Sequence, residues 1–149
     1  MKQIFFAVVL SAIFGASAYG DHTPRHMHII KNAGCGCCNT WAKIALKHGF
    51  DVTLEESSDY KSYKAKMGVP LELAGCHSAR ISGYVVEGHV PMNAIERLLA
   101  EKPDVYGITV PGMPAGSPGM GDDPDARYDV LTFSKADADS AKIFQKMGE

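Results

Sequence analysis

Gly34-Cys35-Gly36-Cys37-Cys38-Asn39-Thr40-Trp41 is the stretch whose reading decides the fold, because it packs three of the four cysteines into four positions. It follows an alternating run, Met27-His28-Ile29-Ile30, that has the period of a strand. It opens a run in which Trp41, Ile44 and Ala45 recur at helical spacing. Cys35 and Cys38 form a Cys-x-x-Cys pair, a spacing that can close a disulfide in the first turn of a helix. Cys37 is surplus to such a pair, whereas a thiolate metal site can use it. A helix start offers unpaired amide hydrogens and a partial positive charge, and both favour thiolate over thiol. Thiolate is the attacking species in disulfide exchange and also the species that binds metal. Position alone therefore leaves both chemistries open.

Outward from this stretch, a strand is expected over Met27 to Lys31, a turn over Asn32 to Gly34 and a helix from Cys38 to Lys47, closed by Gly49. Phe50 to Leu54 alternates as a strand, and Tyr60 to Met67 reads as a second helix ended by Gly68. Val69-Pro70 follows, where thioredoxin-like folds often hold a cis proline. Ser82-Gly83 between two β-rich runs predicts a two-residue hairpin joining Cys76–Ile81 to Tyr84–Val90. In that register Ile81 faces Tyr84, Arg80 faces Val85 and Cys76 faces His89. Alternation then puts Cys76, Ser78, Arg80, Glu87 and His89 on one polar face, with Arg80 and Glu87 in diagonal contact. His77, Ala79, Ile81, Tyr84 and Val86 form the core face. Pro91 opens a third helix with Met92, Ile95 and Leu99 along one side. Pro111 to Met120 is almost all turn formers and reads as a loop, Tyr128 to Phe133 as a last strand, and the Ala/Asp/Lys-rich tail as a frayed helix. Strand, helix, strand, helix, hairpin, helix is the thioredoxin-like plan. The expected fold is thus α/β, a single thioredoxin-like domain with a central mixed sheet flanked by helices.

The 149 residues suffice for one such domain and not two. Lys2, the apolar run Ile4 to Phe14 and Ala16-Ser17-Ala18 have the layout of a secretory signal peptide. The run is short of the ~20 residues a bilayer span needs. The expected division is a signal peptide over 1–18, a polar His-containing leader over 19–25, the domain over 26–134 and a tail over 135–149. Cleavage leaves no stable membrane anchor and predicts a periplasmic protein. Losing Lys2 takes 15 basic residues to 14 against 17 acidic ones, a net charge of −3. With no basic stripe to follow a phosphate backbone, nucleic acid is not an expected partner. Export also means that free thiols become disulfides unless a metal or a dedicated reductant holds them.

Soft donors besides the cluster lean the reading toward metal. Cys76, His77 and His89 lie in the hairpin, and Met113 and Met120 in the loop. Thiolate with thioether selects copper(I), while zinc draws on cysteine, histidine and carboxylate. His77 is the weakest of these candidates, because the register turns it into the core. Two other readings stay open. A thiol–disulfide oxidoreductase acting on exported proteins would use Cys35 as the attacking thiolate and Cys38 as the resolver. Two structural disulfides, Cys35–Cys38 and Cys37–Cys76, would stabilise a small exported domain by roughly 2–4 kcal/mol each.

Cys35-Gly36-Cys37-Cys38, Gly68-Val69-Pro70, Cys76-His77-Ser78-Ala79, Gly83-Tyr84, Glu87-Gly88-His89-Val90-Pro91, Arg97-Leu98-Leu99 and the Pro111–Met120 run occur in that order. This ordered set resembles the CopG-type family of small exported bacterial metal-binding proteins, over roughly Met27 to Phe133. The resemblance implies a periplasmic thioredoxin-like protein of copper resistance that works alongside other periplasmic copper-handling proteins. It implies copper(I), one ion or several bridged by thiolates, on Cys35, Cys37, Cys38 and Cys76, with His89, Met113 and His77 as further ligands. It also implies that the cluster cycles between thiolate and disulfide. Ala33-Gly34 and Gly75 depart from the family pattern of a proline with a small polar residue and of a serine, but every candidate ligand is in place.

Overall fold

A computed structural model describes residues 25–149. The signal peptide expected over 1–18 and the leader up to Pro24 lie outside the described residues. The elements run β1 (His26–Asn32), α1 (Gly36–Lys47), β2 (Asp51–Ser57), α2 (Tyr60–Lys66), a single 3-10 turn (Leu71–Leu73), β3 (His77–Ile81), β4 (Tyr84–Gly88), α3 (Met92–Glu101), β5 (Gly107–Val110), β6 (Tyr128–Ser134) and β7 (Asp137–Met147). They build one seven-stranded sheet in the order β2-β1-β3-β4-β5-β6-β7. The sheet is mixed: β1 with β2 and β4 with β5 run parallel, and the other neighbours antiparallel. The α/β class and the order of elements through α3 are those expected.

Helices cover both faces. Cys38, Trp41, Ala42 and Ala45 form the buried stripe of α1. Trp41, Ala42 and Ala45 pack with Met92, Ala94, Ile95 and Leu98 of α3 on Met27, Ile29, Ala79, Ile81, Val86, Ile108 and Val110 of the sheet. The Trp41 indole is fully buried, and its N–H donates to the Val90 carbonyl at 2.9 Å, which fixes the start of α1 against the end of β4. A smaller core of Met67, Val69, Leu73, Val85 and Phe133 occupies the opposite face.

The hairpin register is the expected one, with Ile81 opposite Tyr84, Arg80 opposite Val85 and Ser78 opposite Glu87. Ser82 and Gly83 have φ of 48° and 88°, as a two-residue turn with both central residues left-handed requires. Three expectations fail. The face carrying Ser78 and Glu87 is not a polar surface, because α2 covers it and both residues are fully buried. Arg80 and Glu87 make no contact of the expected kind: Arg80 is exposed, and Glu87 pairs with Lys64 of α2. The tail is no frayed helix but β7, paired to β6 along its length. No peptide bond among the described residues is cis, so the bond before Pro70 is trans.

Candidate metal centre

Cys35 caps α1 in an extended conformation, so Cys37 and Cys38 stand in its first turn, where the amide hydrogens lack intrahelical partners. Cys76 arrives from across the sheet, one residue before β3. The sulfur of Cys76 lies 3.3 Å from that of Cys38 and 3.9 Å from that of Cys37, and Cys37 is 3.5 Å from Cys35. All four sulfur atoms fall within 4.8 Å of one another. Cys35 and Cys38 are joined as a disulfide, and Cys37 and Cys76 are free thiols. The second of the two structural disulfides considered from sequence, Cys37–Cys76, is not formed.

A second set, Cys38, Cys76, His77 and His89, also brings one donor atom from each residue within 4.8 Å. His89 Nε2 is 2.8 Å from Cys76 Sγ, and His77 Nδ1 is 3.7 Å from it. Strict alternation had sent His77 and His89 to opposite faces. The alternation lapses at Gly88, which ends β4 with φ of 72°, and the two imidazoles meet edge to face with centroids 5.0 Å apart. His77 is as deep in the core as expected, 4.4 Å from the Trp41 ring, yet it borders the sulfur cluster. Its Nε2 is a buried nitrogen without a hydrogen-bond partner.

Burial governs the protonation of these groups. It pushes the Cys76 thiol up to about 12, reinforced by the neighbouring Cys37. Burial holds His89 below its ordinary value against the opposing hydrogen bond that it donates to the Pro118 carbonyl. It drives His77 well below, helped by the Lys64 charge and, whenever that ring is protonated, by His89. At neutral pH both imidazoles are therefore uncharged. The Pro118 carbonyl, 2.7 Å from His89 Nδ1, takes that proton's hydrogen bond and leaves the Nε2 lone pair aimed at Cys76 Sγ. This is the arrangement in which a histidine serves a metal, its outer nitrogen fixed by a carbonyl.

The carbonyl comes from the Pro111–Met120 loop, which was legible as a loop but not as a support. Its Gly119 lies flat against α1 with φ of 89°, and a Cβ there would sit 2.9 Å from the Cys37 carbonyl oxygen and 3.1 Å from the Trp41 nitrogen. Gly119→Ala is therefore expected to destabilise the fold by roughly 1–3 kcal/mol. It should also weaken metal retention by roughly 10–100-fold, as loss of a ligand's outer partner does. Urea unfolding and a chelator competition on the same variant check the two effects. Met113, in the same loop, is 53% exposed and has no hydrogen bond to the cluster among the described residues. The structure thus brings together Cys35, Cys37, Cys38, Cys76, His77 and His89, and leaves Met113 at the surface.

Behind Cys76 lies a buried polar network that sequence reading missed. Lys64 Nζ pairs with Glu87 Oε1 and also donates to the Ser78 hydroxyl and the Gly75 carbonyl. Glu87 in turn accepts from Ser78 at 2.5 Å and from the Gly75 N–H at 2.6 Å. Both peptide groups of the residue preceding Cys76 are thereby held by one ion pair. Burial pushes the Glu87 carboxyl up and the Lys64 amine down, each opposed by the partner's charge.

A family model described as "Protein of unknown function, DUF411" matches residues 73–120, which span Cys76, the hairpin and the Pro118–Gly119 support. No curated protein matches the chain. Two solved structures do. One, titled "Copper resistance protein copG- Form 1", is 35% identical with a TM-score of 0.76, the match covering 85% of this chain and 99% of that one. The other, "Copper resistance protein copG- Form 2", is 36% identical with a TM-score of 0.74, covering 82% and 97%. With that identity across nearly the whole of both relatives, the chain belongs to the CopG copper resistance protein family.

Proposed function

We propose that the protein is a periplasmic copper-binding protein of copper resistance, which holds copper(I) on Cys35, Cys37, Cys38 and Cys76 in their reduced form. The single observation that carries this reading is the convergence of four sulfur atoms from two distant parts of the chain. A sulfur set of this kind selects a soft monovalent cation over harder ions. The donors fit the cargo in a second respect. His77 Nδ1 lies 3.7 Å from Cys76 Sγ, and His89 Nε2 faces the same sulfur, so imidazole nitrogen stands ready to complete the coordination.

The same sulfurs can supply electrons. Two copper(II) ions take one electron each from the thiols of Cys35 and Cys38, giving two copper(I) ions and the Cys35–Cys38 disulfide, with both thiol protons released. The disulfide between these two residues supports this link between redox state and binding. It equally favours the second reading, a metal-free thiol–disulfide oxidoreductase.

Cys37→Ser separates the two. Cys37 lies outside the Cys35–Cys38 pair but inside the sulfur set. The variant is expected to exchange disulfides at the parental rate and to lose at least ~10-fold in copper(I) retention against a chelator, a larger loss marking a more central ligand. Unchanged retention with exchange at the parental rate would favour the oxidoreductase.

A further inference from the structure

A cavity of about 410 Å³ opens beside the sulfur cluster, between α1, α2 and the 3-10 turn. Asn32, Cys35, Tyr60, Lys61, Leu71 and Cys76 contribute to its wall. Its volume lies within the roughly 300–1,000 Å³ of sites that take small organic ligands. A bare metal ion needs far less room.

The disulfide presents its two ends unequally. Cys38 is fully buried, while Cys35 is partly exposed and stands in the cavity wall. An incoming thiolate therefore reaches the Cys35 sulfur and displaces that of Cys38. The polar groups of the cavity are also unequally committed. The Lys64 ammonium is spent on Glu87. Lys61, exposed at the rim, has no ion-pair partner among the described residues and can meet a carboxylate. Leu71, 72% exposed on the other side, offers apolar surface to the body of a ligand.

We propose that this cavity binds a small carboxylate-bearing thiol of about tripeptide size, which reduces the Cys35–Cys38 disulfide from the Cys35 side. In the first step the thiolate of the ligand attacks Cys35 Sγ, a mixed disulfide forms there, and Cys38 leaves as thiolate and takes up a proton. In the second step another molecule of the same thiol attacks the ligand sulfur of the mixed disulfide. It leaves as the oxidised ligand dimer and frees Cys35. Two thiols are oxidised for one protein disulfide reduced, and the cluster is returned to the state that can hold copper(I). The physiological purpose rests on the proposed function, since a cluster oxidised by copper(II) must be reduced again; the chemistry at the cavity does not.

The test starts from the oxidised full chain, with glutathione as the probe and alkylation and mass spectrometry as the readout. The rate of disulfide loss is expected to saturate with glutathione concentration, with the mixed disulfide on Cys35. Lys61→Glu and Leu71→Asp, both at exposed positions, are each expected to lower the rate at subsaturating probe about 10-fold. The glutathione diethyl ester should be slower on the parent protein by a similar factor. Reduction by 2-mercaptoethanol, too small to use the cavity, should be the same in all three proteins. A linear rate, indifference to Lys61 and Leu71, or a mixed disulfide at Cys37 or Cys76 would overturn the proposal, as would equal slowing with 2-mercaptoethanol. Reduction by a protein dithiol alone would do the same. Copper(I) retention by the chemically reduced variants is measured alongside and should equal the parent's. If the reduced parent retained none, the proposed function would fail while the cavity result stood on its own.

Discussion

Cys76→Ser is expected to lower copper(I) retention by at least ~100-fold, beyond the ~10–100-fold that follows loss of a ligand's outer partner. Three of the four sulfurs come from one short stretch and would stay near one another in many folds. Cys76 alone comes from across the sheet, and its sulfur touches Cys37, Cys38 and His89 together. Without it the set loses both a thiolate and its link to the imidazoles. A serine hydroxyl is a hard, neutral donor that a soft cation takes poorly. The Cys35–Cys38 disulfide should form in this variant as in the parent, since neither half is altered. Competition with a copper(I) chelator on reduced protein, beside a free-thiol count, reads both outcomes.

Lys64→Met is expected to destabilise the metal-free fold by about 3–5 kcal/mol, the range for removing one partner of a buried ion pair. Glu87 is fully buried, and its other partners are the Ser78 hydroxyl and the Gly75 N–H. Neither carries a positive charge. The carboxyl, already pushed up by burial, would then take a proton or remain as an unpaired buried charge. At about 3 °C per kcal/mol for a domain of this size, the midpoint should fall by roughly 10 °C. Changing Glu87 to Gln in the same chain should restore much of the loss, because an amide can keep the Ser78 contact without a charge to compensate. If Lys64→Met left the midpoint in place, the network would have no part in holding the residue before Cys76.

The fold up to α3 was legible because local signals agreed with tertiary ones. The Ser82-Gly83 turn set the hairpin register, and that register placed Cys76 beside His89 before any coordinates. The helical spacing from Trp41 found the buried face of α1. Legibility ended where distant partners decide. Nothing near Lys64 in sequence marks it as buried, because its partner Glu87 sits 23 positions away. The tail is rich in helix formers, yet β6 pairs with it, and the connection is made by Lys135 and Ala136, the latter with φ of 56°, a residue no turn rule favours there. Pairing outweighs a weak propensity. His89 was assigned to the cluster by its register, but its proximity to His77 depends on the bend at Gly88. The role of Pro118 depends on a carbonyl, a group every residue carries, so no side chain could announce it.

X-ray absorption at the copper edge, on the reduced chain loaded with copper(I), tests the central claim most directly. The account predicts a first shell dominated by sulfur, with fewer sulfur neighbours in Cys76→Ser. A shell of nitrogen and oxygen, or a sulfur count that Cys76→Ser leaves unchanged, would contradict it.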